Sequence, residues 1–307
     1  MRAAWLHYAG GLTQAEVAKR LGIKGLKAHR LITRANQEGL VKVFIDADIT
    51  ECFEFEQRLI TDWGLEHCQV VPDLEQEELP LKALGIGGAG YLLRVLQHGE
   101  HLGIGVGHGR TLGASIEHLP ARALSSKQVQ KVHFVSLLGG LSRNFAANPH
   151  DVIHRLAHRT GAQAFVMPVP FVANSVSDKQ VLLGQRGIQE VLELARQTSL
   201  KLVGIGTTEL HSSLVATGLV EASELNEIAT AGGVGELLGY FFNADGEPVD
   251  TQVSDRTLAL PLDDLRNCNI VAVAGGEFKT EAIRAVLASR LLSGLITDER
   301  TARTLLG

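Results

Sequence analysis

The sequence predicts a two-part α/β protein, with an amino-terminal helix-turn-helix head and a Rossmann-like α/β body behind it. Three observations predict this. A capping box, a small-residue helix contact and a glycine turn stand in helix-turn-helix spacing near the amino terminus. From residue 85 onward, short apolar β-type runs alternate with helical stretches. Charge is also divided: residues 1–45 carry eight bases against two acids, a balance of +6, and the remainder carries 21 bases against 32 acids, a balance of −11.

The size fits two domains. A chain of 307 residues, 45% hydrophobic and 21% charged, exceeds one typical domain of about 100–200 residues. That apolar content excludes a disordered chain. Cys52, Cys68 and Cys268 are odd in number and form no CxxC pair, so buried free thiols are expected. No apolar run reaches the ~18 residues of a membrane span, and the opening Met1-Arg-Ala-Ala-Trp5 lacks a signal peptide's apolar core. The expected location is the cytoplasm, with no membrane partner.

The head is legible residue by residue. Thr13 and Glu16 have the spacing in which each side chain satisfies an amide of the first helical turn. Val17, Ala18 and Leu21 then share a face, and Gly22 stands where a helix end needs positive φ. A second helix is predicted over 25–38, with Ala28, Leu31, Ile32 and Ala35 inward. It ends at Gly39, and Leu40–Val43 turns to strand-like alternation. In a helix-turn-helix the second helix enters the major groove. Lys27, His29 and Arg30 are thus expected in the groove, and Lys19, Arg20, Lys24 and Arg34 on phosphates. Thr13, Gln14 and Thr33 complete the predicted DNA-facing set. Each such charge also has a plainer reading, as part of a solvated helix face.

Residues 46–80 hold eleven acids and one base, Arg58. Phe55, Leu59 and Trp63 recur at helical spacing, which predicts an amphipathic connecting helix. Val70-Val71-Pro72 reads as a first strand, followed by a Glu-rich surface loop. The expected boundaries are a DNA-binding head over 1–48, a linker or oligomerisation segment over 49–80 and a sensing body over 81–307.

In the body, strands are predicted at 102–106, 132–138, 164–167, 202–205, 270–274 and 295–297. Helices are predicted near 111–118, 150–159, 186–197, 234–241, 277–289 and 298–306. Such alternation gives a mostly parallel sheet, which binds ligands outside the carboxyl ends of its strands. Gly107-His108-Gly109-Arg110-Thr111 joins a strand to a helix start, where free amides, the helix dipole and Arg110 make an anion site. Its spacing matches neither dinucleotide nor nucleotide-triphosphate loops, so no cofactor is indicated. Asn174, in a stiff Pro-rich loop, is a candidate for a hydroxylated ligand. Gly204-Ile-Gly206-Thr207-Thr208 ends a strand with hydroxyls. Gly235 and Glu236 are expected to open a helix leading to Asn243 and Asp245, and Lys279 follows the last Gly pair. Each of these loops is also readable as a tight turn; together they predict a polar small-molecule pocket. His154 and His158 stand i,i+4 with no third ligand in view, so they read as surface histidines rather than a metal site.

These motifs in combination resemble the SorC family of bacterial sugar-responsive transcriptional regulators, grouped with DeoR-type proteins. The resemblance rests on Gly11-Leu-Thr-Gln-Ala-Glu-Val-Ala18, Arg30-Leu-Ile-Thr-Arg34-Ala35, Gly107-His-Gly-Arg-Thr111, Pro168-Val-Pro170, Gly235-Glu-Leu-Leu-Gly239, Ala274-Gly-Gly276 and Thr297-Asp-Glu299. It implies an effector domain akin to the sugar-phosphate isomerase and deaminase fold, without catalysis. It also implies a dimer or tetramer on operator double-stranded DNA, with DNA affinity altered by a sugar, polyol or sugar phosphate. The effector positions it implies are Gly107, His108, Gly109, Arg110, Thr111, Asn174, Gly235, Glu236, Asn243, Asp245 and Lys279. Asn243 stands where the family usually has Asp. A repressor is the leading expectation. The alternative is a sugar-phosphate isomerase or deaminase using Glu236, Asp245 or Lys279 as acid–base groups.

Overall fold

The computed structural model describes residues 1–38, 41, 50–74, 78–120, 129–140, 152–209 and 212–307. Two compact units divide the chain: Met1–Asp48 with Pro120–Ser126, and Ile49–Leu119 with Lys127–Gly307. The expected helix end at Gly39 and Leu40, most of the strand-like run after it and the Glu-rich residues 75–77 lie outside the described residues.

The first unit begins with helix α1 (Arg2–Ala4), which runs on as a wider turn over Trp5–Ala9. Helices α2 (Gln14–Leu21) and α3 (Gly25–Gln37) follow. The predicted capping box is present: Glu16 N–H donates to Thr13 Oγ1, and Thr13 N–H donates to Glu16 Oε2 at 2.8 Å. Gly22 ends α2 with φ +64, a backbone a side chain would strain. Ala3, Leu6, Val17, Ala18, Ala28 and Ile32 form the small core, with Leu12, Leu21 and Ile23 half-buried against it. Leu31 is a correction, since it is 38% exposed rather than inward. Ala3 and Leu6, from the segment ahead of α2, belong to that core and Leu31 does not.

The second unit begins with α4 (Thr50–Trp63), β1 (His67–Val71), α5 (Leu81–His98), β2 (Gly103–Val106) and α6 (Arg110–Glu117). It continues with β3 (His133–Ser136), α7 (Ile153–Thr160), β4 (Gln163–Phe165), α8 (Val176–Leu183), α9 (Arg186–Gln197), β5 (Leu200–Val203), β6 (Gly206–Thr207), α10 (Ser213–Ala216) and α11 (Ala222–Thr230). The last elements are β7 (Gly235–Leu237), β8 (Tyr240–Phe242), β9 (Pro248–Val249), α12 (Gln252–Arg256), α13 (Leu262–Leu265), β10 (Ile270–Val273), α14 (Thr280–Ala288), β11 (Gly294–Asp298) and α15 (Glu299–Leu306).

Seven of these strands form a parallel sheet in the order β1-β11-β10-β5-β2-β3-β4. Strands buried on both faces read as continuous apolar runs, and Ile270–Val273 and Gly294–Asp298 are buried at every position. Helices cover both faces. On one side Arg94 of α5 bonds Gln69 of β1; the alternating Cys68 and Val70 pack with Cys52, Phe55 and Leu59 of α4. Among the described residues of the acidic stretch, α4 lies against β1 and α15. Cys52 and Cys68 are buried thiols, pushed up by burial to about 11 and about 12, and Cys268 is also free.

The helix expected over 234–241 is overturned. Gly235–Leu237 and Tyr240–Phe242 are the paired strands of a hairpin within a four-stranded antiparallel sheet, β6-β7-β8-β9. Leu237, Leu238 and Phe241 mimic helical spacing, but Leu238 and Gly239 take φ +52 and +83 in a two-residue turn. The long helix α5 was not foreseen. A Cβ on Gly88 would come within 2.1 Å of Ser115 Oγ and one on Gly85 within 3.0 Å of Ala114, so these two glycines permit close packing on α6.

Candidate functional site

The order of the parallel strands creates the site. The chain runs β2 to β3 to β4 in one direction, then returns to lay β5 against the other side of β2. Loops leaving β2 and β5 therefore diverge and open a crevice at the carboxyl ends, where such sheets bind ligands. A cavity of about 520 Å³ lies there, lined by Arg110, Thr207, Glu209, Ser212, Glu277, Lys279, Asp298 and others. A recess of about 40 Å³ shares Arg110, Gly206 and Lys279 with it and adds His108, Thr111, Glu236 and Leu238.

Each wall has a local cause. Gly109 is the N-cap of α6, so the first-turn amides and the Arg110 side chain stand at one helix start. The Thr111 hydroxyl is committed to the Val273 carbonyl at 2.6 Å and pins α6 to β10. On the far side, Asp298 caps α15 through Thr301 N–H at 3.1 Å. The same carboxylate accepts from Gly276 N–H at 2.9 Å and from the Thr301 hydroxyl at 2.6 Å, which fixes the turn carrying Lys279. A Cβ on Gly275 would fall 2.1 Å from Asp298 Oδ2, so glycine is required for that approach. At the rim Arg300 pairs with Asp73 at 2.6 Å.

Two buried ionisable groups face the recess. Lys279 Nζ donates to the Ile205 carbonyl at 2.9 Å. Burial, then repulsion from Arg110, push its pKa down to about 8 against the pull of Glu236. Glu236 Oε1 accepts from the Gly239 amide at 2.6 Å. Burial pushes its pKa up to about 7, opposed by that hydrogen bond and by the Lys279 charge. The walls thus carry both donors and acceptors, Arg110 and Lys279 beside Glu236 and Thr207.

Of the residues singled out from sequence, His108, Gly109, Arg110, Thr111, Glu236 and Lys279 come together here. The Gly107 amide is spent on the Leu202 carbonyl at 2.8 Å, which holds the loop rather than facing the cavity. Gly235 is buried behind Ala282. Asn243 closes the β8–β9 turn, its Oδ1 accepting from the Asp245 and Glu247 amides at 3.0 and 2.9 Å; Asp245 is exposed beside it. Asn174 is exposed in a loop clasped by Arg256, which also pairs with Glu224 at 2.5 Å. None of these last four lines the cavity or the recess. Thr207, from the predicted Gly204–Thr208 loop, lines the cavity; sequence reasoning missed Glu209 and Ser212, which carry no motif of their own, and gave Asp298, part of a family motif, no place in the site. His154 and His158 are exposed on α7, and no group of three metal-ligating side chains occurs among the described residues.

In the head, Lys24, Lys27, His29 and Arg30 are exposed on or beside α3, with Lys19 and Arg20 exposed on α2. Gln14 Oε1 lies 3.1 Å from His29 Nδ1, joining the starts of the two helices. Arg34 pairs with Glu38 at 2.7 Å, and Thr33 is half-buried. Thr13 is exposed and serves the capping box.

Residues 47–307 match the family described as "Putative sugar-binding domain". The chain belongs to this family, that of the SorC/DeoR-type sugar-binding regulators. The erythritol catabolism regulatory protein EryD of Brucella abortus (strain 2308) is 53% identical over 307 residues, covering 100% of this chain and 96% of that protein. The transcriptional regulator LsrR of Enterobacter sp. (strain 638) is 34% identical over 309 residues, covering 99% and 91%. The full-length sorbitol operon regulator SorC of Klebsiella pneumoniae superposes with TM-score 0.73 at 26% identity, covering 99% of this chain and 97% of that one. Membership thus extends through head and body alike. No helix of the described residues is long and apolar enough to cross a membrane.

Proposed function

We propose that this SorC/DeoR-type regulator represses a carbohydrate or polyol catabolic operon, gripping operator DNA with residues 1–48 and sensing a small effector in the body. One observation carries the effector assignment: Arg110, Glu236 and Lys279, from three separate elements, converge on one crevice at the switch point of the sheet. The effector is a short polyol or its phosphate, and erythritol is the first compound to try, given the relative named for erythritol catabolism. Arg110, Lys279 and the start of α6 take its anionic or most electron-rich end, while Glu236 takes hydroxyls. On the DNA side, Lys27, His29 and Arg30 read the groove, and Lys19, Arg20, Lys24 and Arg34 hold phosphates. The working form is a cytoplasmic dimer or tetramer without catalytic activity. Effector binding acts by differing in strength between DNA-competent and DNA-incompetent arrangements, since equal affinity shifts nothing.

Fluorescence anisotropy of the full chain on its own promoter, with and without erythritol, erythritol 4-phosphate and other polyols, tests this reading. Specific binding released by one of these compounds is the expected result. Binding unaffected by all of them would overturn the effector assignment.

A second reading has an observation in its favour. Glu236 and Lys279, near 7 and 8, are placed to exchange protons at neutral pH, as an isomerase or deaminase requires. Turnover of sugar phosphates by the purified chain decides for that reading; its absence leaves the regulator.

A further inference from the structure

We infer that Ser212, in the loop between β6 and α10, is an effector-binding residue whose hydroxyl is held in reserve for a ligand hydroxyl. The inference rests on the effector site proposed above, at a residue that no local motif marks. The backbone of Ser212 is fully engaged: its amide donates to the Glu209 carbonyl at 2.8 Å, and its carbonyl accepts from the Ala216 amide at 3.1 Å. The residue is only 5% exposed, yet Oγ has no hydrogen-bond partner among the described residues. A serine leading into a helix ordinarily turns its oxygen back onto the first-turn amides. This one does not, and it lines the 520 Å³ cavity together with Arg110, Thr207, Glu209 and Lys279.

Position separates this hydroxyl from the comparable cases. Two other buried side-chain atoms lack partners among the described residues, His67 Nε2 and Thr297 Oγ1, and neither residue lines the cavity or the recess. An unpaired buried hydroxyl is a standing cost to the free protein, recovered when a donor or acceptor arrives. A polyol has a hydroxyl to supply at each carbon, and it both donates and accepts, as serine does.

The test is calorimetric titration of the full-length protein with erythritol and, separately, with erythritol 4-phosphate, each paired with a melting curve. Ser212→Ala is expected to weaken the ligand that binds by about tenfold, the effect of one neutral hydrogen bond. Its melting temperature should stay level or rise, because an unsatisfied group has been removed. Ser212→Thr keeps the hydroxyl and should bind within about threefold of wild type. A Ser212→Ala variant that binds like wild type, or that melts lower with affinity unchanged, makes the hydroxyl structural and overturns the inference alone. A wild-type protein that takes up neither compound overturns the effector reading, and this inference with it.

Discussion

The Gly239 amide donates to Glu236 Oε1 at 2.6 Å across the turn that joins β7 to β8. That bond orients a carboxyl group whose surroundings otherwise disfavour its charge, since burial pushes Glu236 up to about 7. Unfolding returns it to its ordinary value near 4.5. Between those two pH values the folded protein keeps a proton that the unfolded chain has released. Stability from this group therefore falls as pH rises from about 4.5 to about 7, by up to about 3 kcal/mol, and is level above that. Glu236→Gln carries no titrating proton but still accepts from Gly239. Across the same window its urea-unfolding free energy should gain on wild type by up to that amount. An offset between the two proteins that is constant with pH would refute the shift.

Arg110 should discriminate by effector charge. It lies at the start of α6 and is one of the causes holding Lys279 down to about 8. Arg110→Met removes a fixed cation from the anion end of the cavity. A phosphorylated effector should then bind at least about tenfold more weakly, as for a lost charge-assisted hydrogen bond. A neutral polyol should change by less than about threefold. Calorimetry with both compounds measures the split, and equal losses would place Arg110 outside the ligand's anionic contact.

Asp298 is the brace behind Lys279. It accepts from Gly276 N–H, Thr301 N–H and the Thr301 hydroxyl in a buried position. Asp298→Ala removes the acceptor of the Thr301 amide and hydroxyl, leaves the Gly276 amide only the Thr301 oxygen at 2.8 Å, and removes a helix cap. The expected cost is about 2–4 kcal/mol in denaturant unfolding. A change below about 0.5 kcal/mol, the size of an ordinary surface substitution, would mean that the brace does not hold the turn.

The head should obey polyelectrolyte rules. Operator affinity should fall steeply between low and moderate salt, because phosphate contacts release counterions. Arg30→Ala should weaken DNA binding while leaving effector titration unchanged. If Arg30 contacts a phosphate, the salt slope drops by about one; if it reads a base, specificity relaxes at one position. Equal loss of DNA and effector binding would break the two-part assignment.

Much of this was legible in the residues themselves. The capping box of Thr13 and Glu16, the glycine end of α2 and the helical span of α9 are local, and local rules found them. The apolar runs of the parallel strands were readable because both faces of that sheet are covered. The β7–β8 hairpin was not, since Leu237, Leu238 and Phe241 satisfy a helical spacing as well as they do a strand pair. Nor was α5, whose glycines are punctuation in isolation and contact surface against α6.

The sequence by itself determined the division of charge, the helix-turn-helix and the alternation that produces a parallel sheet, because these depend on composition and on neighbours within a few residues. The family followed from the same local motifs. Only the tertiary structure decided which candidates share a site. Arg110, Glu236 and Lys279 lie on elements far apart in the chain, and the reversal of strand order between β2 and β5 brings them together. The same fold turns Asn243 into its own loop and sets Ser212, its hydroxyl buried, in the wall of the cavity. Side-chain chemistry can be read from the chain in order; convergence is set by topology, which joins residues that no local spacing relates.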